Sequence, residues 1–301
     1  MTGIWVDTDF GFDDLWALLL LRHLGCPVAG VSLVAGNAPL SQVARNAAAA
    51  KAAYGFDWPA WQGASRPLVR DPETAARILG PTGMRSRGRQ LDPSGGALPP
   101  TGAVEALANW VRSTPEARHE ILALGPLTNV AKLVRTFPGV QSRIDRLVWM
   151  GGSAGAGNHT PYAEFNALAD AEALDVVVAA DLPLDIIDLT FCRGVTFGPD
   201  DLPECDPLTS DLLGGYLDIA LERGRASMAI YDPLAALAMV RPNMVTFKPC
   251  TLSIETDAGE TYGATTIAAA ATSRTRISVE GTEDLASLCL GVLEKEVVHG
   301  G

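Results

Sequence analysis

The sequence lacks long apolar runs, closely spaced cysteines and an excess of basic residues. No run approaches the roughly 20 residues of a transmembrane helix, and the first residues, MTGIWVDTDFG, lack the basic segment of a secretory signal. Five scattered cysteines without C-x-x-C spacing are typical of reduced thiols in the cytoplasm. With a net charge of −12, the surface repels phosphate backbones. We therefore expect a cytoplasmic protein without membrane or nucleic-acid partners.

The 301 residues contain enough apolar material for one large α/β domain. Hydrophobic residues make up 48% and charged residues 19%, which suits a folded core rather than a disordered chain. Apolar runs alternate with longer helical patterns, which favours a mainly parallel sheet flanked by helices on both faces. No repeat or linker divides the chain, so a single domain over 1–301 is expected. The predicted strands are 4–7, 28–35, 120–124, 146–150 and 182–189, and the predicted helices are 13–24, 39–54, 103–112, 127–136, 170–180, 208–225 and 232–240.

Two stretches depart from this alternation. Residues 63–100 include GPTGMRSRGRQLDPSGGALPP, which is rich in glycine, proline and arginine. Long irregular segments in compact domains are usually functional or mobile, so this stretch is predicted to be a loop or lid. Beyond about residue 255 the pattern weakens, and a short hairpin followed by a last helix at 282–297 is expected.

The segment IWVDTDFGFDD at residues 4–14 concentrates four carboxylates, those of Asp7, Asp9, Asp13 and Asp14. Asp7 and Asp9 share one face of a predicted strand, and Asp13 and Asp14 begin the first helix. The cluster therefore lies at the carboxyl end of a strand, where open α/β sheets bind ligands. A helix end cannot offset so many negative charges, but a divalent cation can. Oxygen ligands without nearby His or Cys favour a hard ion, Ca²⁺ or Mg²⁺.

Three other interpretations explain this segment less well. Helix capping accounts for Asp13 but leaves the other carboxylates unexplained. An EF-hand starting at Asp7 requires Gly and Glu where this chain has Phe12 and Leu18. A haloacid-dehalogenase-like phosphatase would require Asp7 in a strand-end Asp-x-Asp, but expects Thr or Val at the position of Gly11.

The same segment resembles the D-x-D-P-G-x-D-D signature of the nucleoside hydrolases, with Phe10 in place of the usual proline. Blocks similar to other parts of this family follow in the expected order: VAGNAPLSQVARNA (34–47), WQGASRPL (61–68), ALGPLTNVAKL (123–133), MGGSAGAGNHTPYAEFNALADAEA (150–173) and DPLAA (232–236). Each block alone is modest support, but together they form a specific pattern that extends to about residue 240.

This resemblance implies a Rossmann-like α/β domain that hydrolyses the N-glycosidic bond of a ribonucleoside, with a bound Ca²⁺ and assembly as a homodimer or homotetramer. It implies that Asp9 is the general base, and that the metal ligands are Asp9, Asp14, the main-chain carbonyl of Leu124, and Asp232. The substrate-binding residues that it implies are Asp13, Asn37, Met150, Asn158, Glu164, Asn166 and Tyr231. Asp170, in contrast, is interpreted as a helix cap.

The half of the site that would face the base departs from the family pattern. Tyr231 stands where many members carry a His that is thought to protonate the departing base, and the lid signature H-G-x-D-G is replaced by LGPTG at 79–83. A tyrosine, with an ordinary pKa near 10, is a weak acid at neutral pH. We therefore expect atypical leaving-group activation, with aromatic contacts to the base from Tyr231 and from Trp61.

Recognition of the base stays open at this point. Arg85, Arg87 and Arg89 form either a solvated basic loop or a site for an acidic or modified base, and His159 of the GNHTP block is a further candidate contact. The alternative to an enzyme is a catalytically weak protein of the same fold that binds nucleoside or ribose. Retention of Asp9 favours the enzyme.

Overall fold

The computed structural model describes residues 3–113 and 116–295. The strands in this part of the chain are β1 (Ile4–Thr8), β2 (Val28–Leu33), β3 (Ala60–Gln62), β4 (Glu120–Ala123), β5 (Arg146–Met150), β6 (Leu184–Ile187), β7 (Thr196–Phe197), β8 (Met228–Ala229), β9 (Val245–Ile254), β10 (Thr265–Ala269) and β11 (Arg276–Gly281). The main sheet has the order β10-β9-β11-β6-β5-β4-β1-β2-β3, and β7 pairs with β8. In this order, the neighbouring strands β11, β6, β5, β4, β1, β2 and β3 are parallel to one another. Strand β9 is antiparallel to both of its neighbours, β10 and β11.

Helices cover both faces of this sheet. They are α1 (Phe12–His23), α2 (Leu40–Tyr54), α3 (Ala76–Leu79), α4 (Ala103–Ser113), α5 (Thr128–Thr136), α6 (Phe165–Ala169), α7 (Ala171–Ala179), α8 (Leu189–Cys192), α9 (Pro207–Leu221), α10 (Asp232–Val240) and α11 (Leu285–Gly291). Helices α1, α2, α9, α10 and α11 pack on one face, and α4, α5 and α7 pack on the other around Trp5 and Trp149. The predicted α/β fold with a mainly parallel sheet is confirmed.

The order of the strands determines where a ligand can bind. From β3 to β6 the order is that of a Rossmann-like sheet, in which the direction of winding reverses beside the first strand. Ligands in such sheets bind outside the carboxyl ends of the strands at this reversal. Asp7 of β1 is level with Ala123 of β4, and the Leu124 N–H donates to the Asp7 carbonyl at 2.8 Å. The residues that follow Asp7 and Ala123 therefore meet at that edge.

Differences from the predicted elements have local causes. The strand predicted to continue to residue 189 ends at Ile187, because Asp188 caps α8. The helix predicted to continue to residue 225 ends at Leu221, before Gly224 with its φ of 72°. The hairpin predicted beyond residue 255 is wrong, because the strands found there, β10 and β11, do not pair with each other. Each of them pairs with β9, which begins before residue 255. The predicted last helix is shorter than 282–297, and its residues from 296 onward lie outside the described residues.

The predicted irregular segment between β3 and α4 is also confirmed, since α3 is the one helix that the described residues 63–100 contain. We call residues 63–100 the lid, because Ala75, Ile78 and Leu79 within it line the cavity described below. Within the described ranges, no helix combines the length and the apolar character required to span a bilayer.

Candidate active site

A cavity that is partly open to solvent lies at the carboxyl ends of β1, β4 and β5. Lid residues from α3 and the end of α9 form part of its wall. The predicted site residues that line it are Asp9, Asp13, Asn37, Leu124, Met150, Asn158, Glu164, Asn166, Tyr231 and Asp232. Asp14, the remaining predicted residue, lies directly beside Asp13 and Asp232. The fold therefore brings together residues that are more than 200 positions apart in the sequence.

Four carboxylates meet on one side of this cavity. Oxygen atoms of Asp13, Asp14 and Asp232 lie within 4.8 Å of one another. This group of three differs from the predicted metal ligands, because it contains Asp13, which the resemblance assigned to the substrate, and not Asp9. Asp9 is nevertheless close enough for its charge to repel that of Asp232. In the described part of the chain, none of the four forms an ion pair with a basic side chain.

The electrostatics of this cluster favour a cation. Burial, together with repulsion between the carboxylates, raises the pKa of Asp9 and of Asp232 well above the ordinary carboxyl range. Burial and the charge of Asp14 raise the pKa of Asp13 to about 7. A set of oxygen donors whose negative charge is not compensated suits a hard divalent cation.

The turn between β1 and α1 holds Asp14 from behind. Thr8 Oγ1 donates to one of its carboxylate oxygens, and the Gly11 N–H donates to the other at 2.7 Å. The Phe10 N–H in turn donates to Thr8 Oγ1 at 3.0 Å, from a backbone with a φ of 46°. A Cβ on Gly11 would lie 2.7 Å from Asn37 Nδ2, so this position has no room for a side chain.

Asn37 orients Asp9. Its N–H donates to Asp9 Oδ2 at 2.7 Å, and its Nδ2 donates to Asp9 Oδ1 at 3.1 Å. The preceding residue must be glycine, because a Cβ on Gly36 would lie 2.1 Å from Asp9 Oδ2. The segment that follows β2 therefore contributes both a close backbone approach and an amide to the site.

Glu164 and Asn166 form a second polar group on the cavity wall. Glu164 caps α6 and accepts hydrogen bonds from the N–H groups of Asn166 (2.9 Å), Ala167 (3.0 Å) and Gly152 (2.8 Å). Burial nevertheless raises the pKa of Glu164 to about 7. Asn166 Nδ2 donates to the Leu124 carbonyl at 2.9 Å and to the Met150 carbonyl at 3.0 Å. Because a carbonyl oxygen has two lone pairs, that of Leu124 can still accept a second partner.

The cavity is also lined by three residues that the sequence motifs did not predict, Tyr216, Arg223 and Arg225. The Tyr216 hydroxyl donates to Asp13 Oδ2 at 3.1 Å. The sequence contains a signal for Tyr216 and Arg223. Together with Ile219 and Ala220, which also line the cavity, they have the i, i+3, i+4, i+7 spacing of one face of a helix. Nothing in the local sequence indicates that this face meets the carboxylates.

Comparison with known proteins identifies the family. Residues 4–292 match the family described as inosine-uridine preferring nucleoside hydrolase. The chain belongs to this family. Nucleoside hydrolases are N-glycosidases, and this protein is an enzyme of that class.

The similar proteins include the non-specific ribonucleoside hydrolase RihC of Escherichia coli O1:K1 / APEC, which is 34% identical over 276 residues, covering 88% of this chain and 87% of the relative. Among solved structures, the purine-preferring ribonucleoside hydrolase from Gardnerella vaginalis has a TM-score of 0.84 at 21% identity, covering 97% of this chain and 99% of that chain. The plant nucleoside hydrolase PpNRh1 has a TM-score of 0.86 at 22% identity, with the same coverage. At these identities the structural likeness shows the fold alone.

Two residues that the sequence suggested as contacts of the base lie elsewhere in this nucleoside hydrolase. Trp61 does not line the cavity, because its ring stacks on that of Trp5 at 5.4 Å. His159 does not line it either; its Nε2 lies 3.0 Å from Glu73 Oε1, and its ring packs against Phe165.

None of the three lid arginines lines the cavity, so they do not form a site for the base. Arg87 and Arg89 are exposed, as the solvated-loop interpretation expects. Each of the three makes an ion pair with a carboxylate of α9 or of the residue that directly follows it: Arg87 with Asp218 at 2.6 Å, Arg89 with Asp211 at 3.2 Å, and Arg85 with Glu222, the C-cap residue, at 2.6 Å. These pairs attach the lid to α9. Their guanidinium groups are therefore occupied by the protein itself.

The position of Asp7 argues against the phosphatase interpretation. Asp7 is fully buried and does not line the cavity, and one of its oxygens accepts hydrogen bonds from Ser32 and Asn129. A buried carboxylate of this kind cannot attack a substrate.

The predicted cap at Asp170 is confirmed, since its carboxylate accepts from the Ala173 N–H at 3.0 Å.

Proposed function

We propose that this nucleoside hydrolase uses Ca²⁺ to cleave the N-glycosidic bond of a ribonucleoside, giving ribose and the free base. The convergence of uncompensated carboxylates on a cavity lined by amides is the observation that supports the proposal. Asp9, Asp14, Asp232 and the Leu124 carbonyl are oxygen donors and would hold the ion. When bound, the ion would offset the repulsion between the carboxylates and lower the pKa of a water molecule in contact with it.

The protein's own groups would carry the proton and bind the sugar. Asp9, oriented by Asn37, would accept a proton from the water that attacks C1′ of the ribose, while the bond between C1′ and the base breaks with its electron pair going to the base. Positive charge that develops on the sugar would be stabilised by the surrounding carboxylates. The residues that would bind the ribose through hydrogen bonds or packing are Asp13, Asn37, Met150, Asn158, Glu164 and Asn166.

Activation of the leaving group would not depend on proton donation by Tyr231. Burial raises the pKa of Tyr231 to about 12, so its hydroxyl is a poor acid at neutral pH. Tyr231 would instead contact the base through its ring or donate a hydrogen bond. Assembly as a homodimer or homotetramer and a cytoplasmic location remain predictions from the sequence.

The test is an assay of ribose release over a panel of ribonucleosides. We expect Asp9→Asn to lose most hydrolysis, by about a hundredfold or more, because the general base is removed. Asp175→Asn on the exposed side of α7 is the matched control and is expected to keep wild-type rates. Chelation should abolish release and added Ca²⁺ should restore it. Release that is indifferent to both the chelator and Asp9→Asn would contradict the proposal.

The same panel distinguishes the enzyme from the alternative, a protein that binds nucleoside without turnover. Calorimetric titration that shows nucleoside binding, combined with no release of ribose from any nucleoside, would favour the binding protein. The family assignment and the retained Asp9 favour the enzyme.

A further inference from the structure

The cavity is lined by charged groups of both signs. Asp9 and Asp232 are buried, whereas Arg223 and Arg225 are exposed, so the two arginines line the part of the cavity that faces solvent. The apolar side chains of Ile78, Leu79 and Ile219 line the same cavity. A ligand whose ribose faces the carboxylates would therefore direct the far edge of its base toward the two arginines.

The backbone after α9 places these arginines. The N–H groups of Arg223 and Arg225 both donate to the carbonyl of Ala220, at 3.1 and 3.0 Å, and Gly224 between them has a φ of 72°. This turn brings two positive charges to the same rim. Tyr231, the predicted base contact, lines the same cavity as the two arginines.

Neither arginine has a carboxylate partner among the described residues, although the chain contains 35 acidic and 23 basic residues. The nearby arginines of the lid are all paired. In a chain with an excess of acid, two adjacent arginines at a cavity rim without a partner are available for a ligand. A guanidinium group binds a carboxylate through two parallel hydrogen bonds, which gives it both affinity and orientation.

We propose that Arg223 and Arg225 bind an anionic substituent of the base, so that the enzyme prefers ribonucleosides whose base carries a carboxylate at a ring position away from the glycosidic bond. The inference rests on the proposed function, because it assumes that ribose occupies the carboxylate side. The sequence suggested that the lid arginines bind an acidic base, but those arginines form ion pairs within the protein. We assign this role to Arg223 and Arg225 instead.

The test uses two ribosides that differ only in this charge, nicotinic acid riboside and nicotinamide riboside. In both, the positively charged ring nitrogen takes the electron pair of the broken bond and becomes neutral, releasing nicotinate or nicotinamide, so neither leaving group needs a proton donor. We expect the wild-type enzyme to favour the acid in kcat/KM by about tenfold, as for an ion pair that is partly exposed to solvent. In Arg223→Gln/Arg225→Gln the ratio should fall to about one, mainly through a higher KM for the acid.

The control variant is Arg85→Gln/Arg87→Gln, which removes the same net charge from paired lid residues and is expected to keep the preference. High salt should reduce the preference of the wild-type enzyme, because it screens exposed charges. Cleavage of both ribosides without preference, or equal losses on both in the Arg223→Gln/Arg225→Gln variant, would overturn the inference and leave the proposed function intact. No ribose from either riboside or from any common nucleoside would instead contradict the proposed function.

Discussion

Phe10 shows how a single residue adapts the site. Most family members were expected to carry proline at this position, but here the φ of 46° lies far from the value near −65° that a proline ring imposes. The Phe10 N–H also donates to Thr8 Oγ1, which donates to Asp14. Proline has no such N–H. The departure from the family signature therefore coincides with a different backbone and with an additional hydrogen bond behind a carboxylate of the cluster.

Phe10→Pro is accordingly expected to be less stable than Phe10→Gly. Both changes remove the buried ring, but glycine accepts a positive φ whereas proline cannot, and proline also removes the donor to Thr8. The additional loss should be about 2–3 kcal/mol. Urea unfolding of the two variants measures it, and equal stabilities would show that the turn relaxes without strain.

Glu164 supplies a prediction about pH. Its pKa is raised from 4.5 to about 7 in the folded protein, so between these values the native state binds a proton that the unfolded chain releases. The stability that Glu164 contributes is complete below pH 4.5 and is lost as the pH rises through 7. Compared with Glu164→Gln, the wild-type protein should lose up to ~3 kcal/mol over this window. Unfolding measured across the pH series tests this, and parallel profiles would contradict it.

At the residue scale, the sequence predicted the acidic and amide groups because each lies in a short motif. Asp9, Asn37, Glu164 and Asp232 all line the cavity as expected. Tyr216, Arg223 and Arg225 were missed because they belong to no motif. Their position follows from how a helix packs against the rest of the molecule, which local spacing does not determine.

At the scale of elements, α9 serves two partners. Tyr216 and Ile219 line the cavity, whereas Asp211 and Asp218 form ion pairs with lid arginines. Glu222, which directly follows the helix, pairs with the third lid arginine. Gly214 and Gly215 allow the lid to lie directly on the helix, since a Cβ on Gly215 would be 2.5 Å from the backbone of Ser86. The lid therefore packs directly on the helix that forms part of the cavity wall.

This contact predicts an inverted effect for Gly215→Ala. An alanine inside a helix normally stabilises by about 1 kcal/mol relative to glycine. Here the new Cβ meets lid backbone, so we expect a lower melting temperature and faster hydrogen exchange in the lid segment 85–89. Gly291→Ala at the end of α11 is the control, because its Cβ would meet nothing within 4 Å. A Gly215→Ala variant as stable as the wild type would mean that the lid does not pack on α9 as described.

The boundaries of α1 and α2 were predicted to within one residue, because Gly25 and Gly55, both with positive φ, follow their helical patterns. Strand β9 was missed because it contains Pro249, and a proline argues against a central strand of a sheet. Strand β9 nevertheless lies between β10 and β11. The structure tolerates Pro249 at a position opposite Arg276. Tertiary pairing therefore overrides the local signal here.

At the scale of the whole molecule, the site depends on topology. The carboxylates come from the β1–α1 turn and from the start of α10, and the reversal of strand order beside β1 brings them to one edge. The sequence identified the segments through family motifs, but their convergence requires the sheet. Folding therefore has to bring like charges together, which costs free energy unless a cation is bound.

Metal removal should accordingly change the stability of the whole domain. We expect Ca²⁺ to raise the melting temperature of chelated protein, by the equivalent of ~2.7 kcal/mol when its concentration is a hundred times Kd. The increase should be larger at pH 8 than at pH 5.5, because protons compete with the ion for the carboxylates. Without metal, Asp232→Asn should be more stable than the wild-type protein, because it relieves the repulsion between the carboxylates. With Ca²⁺ the order should reverse, since the variant has lost a ligand and is stabilised little by the ion. A Ca²⁺-dependent shift that persists unchanged in Asp232→Asn would place the ion elsewhere in the protein.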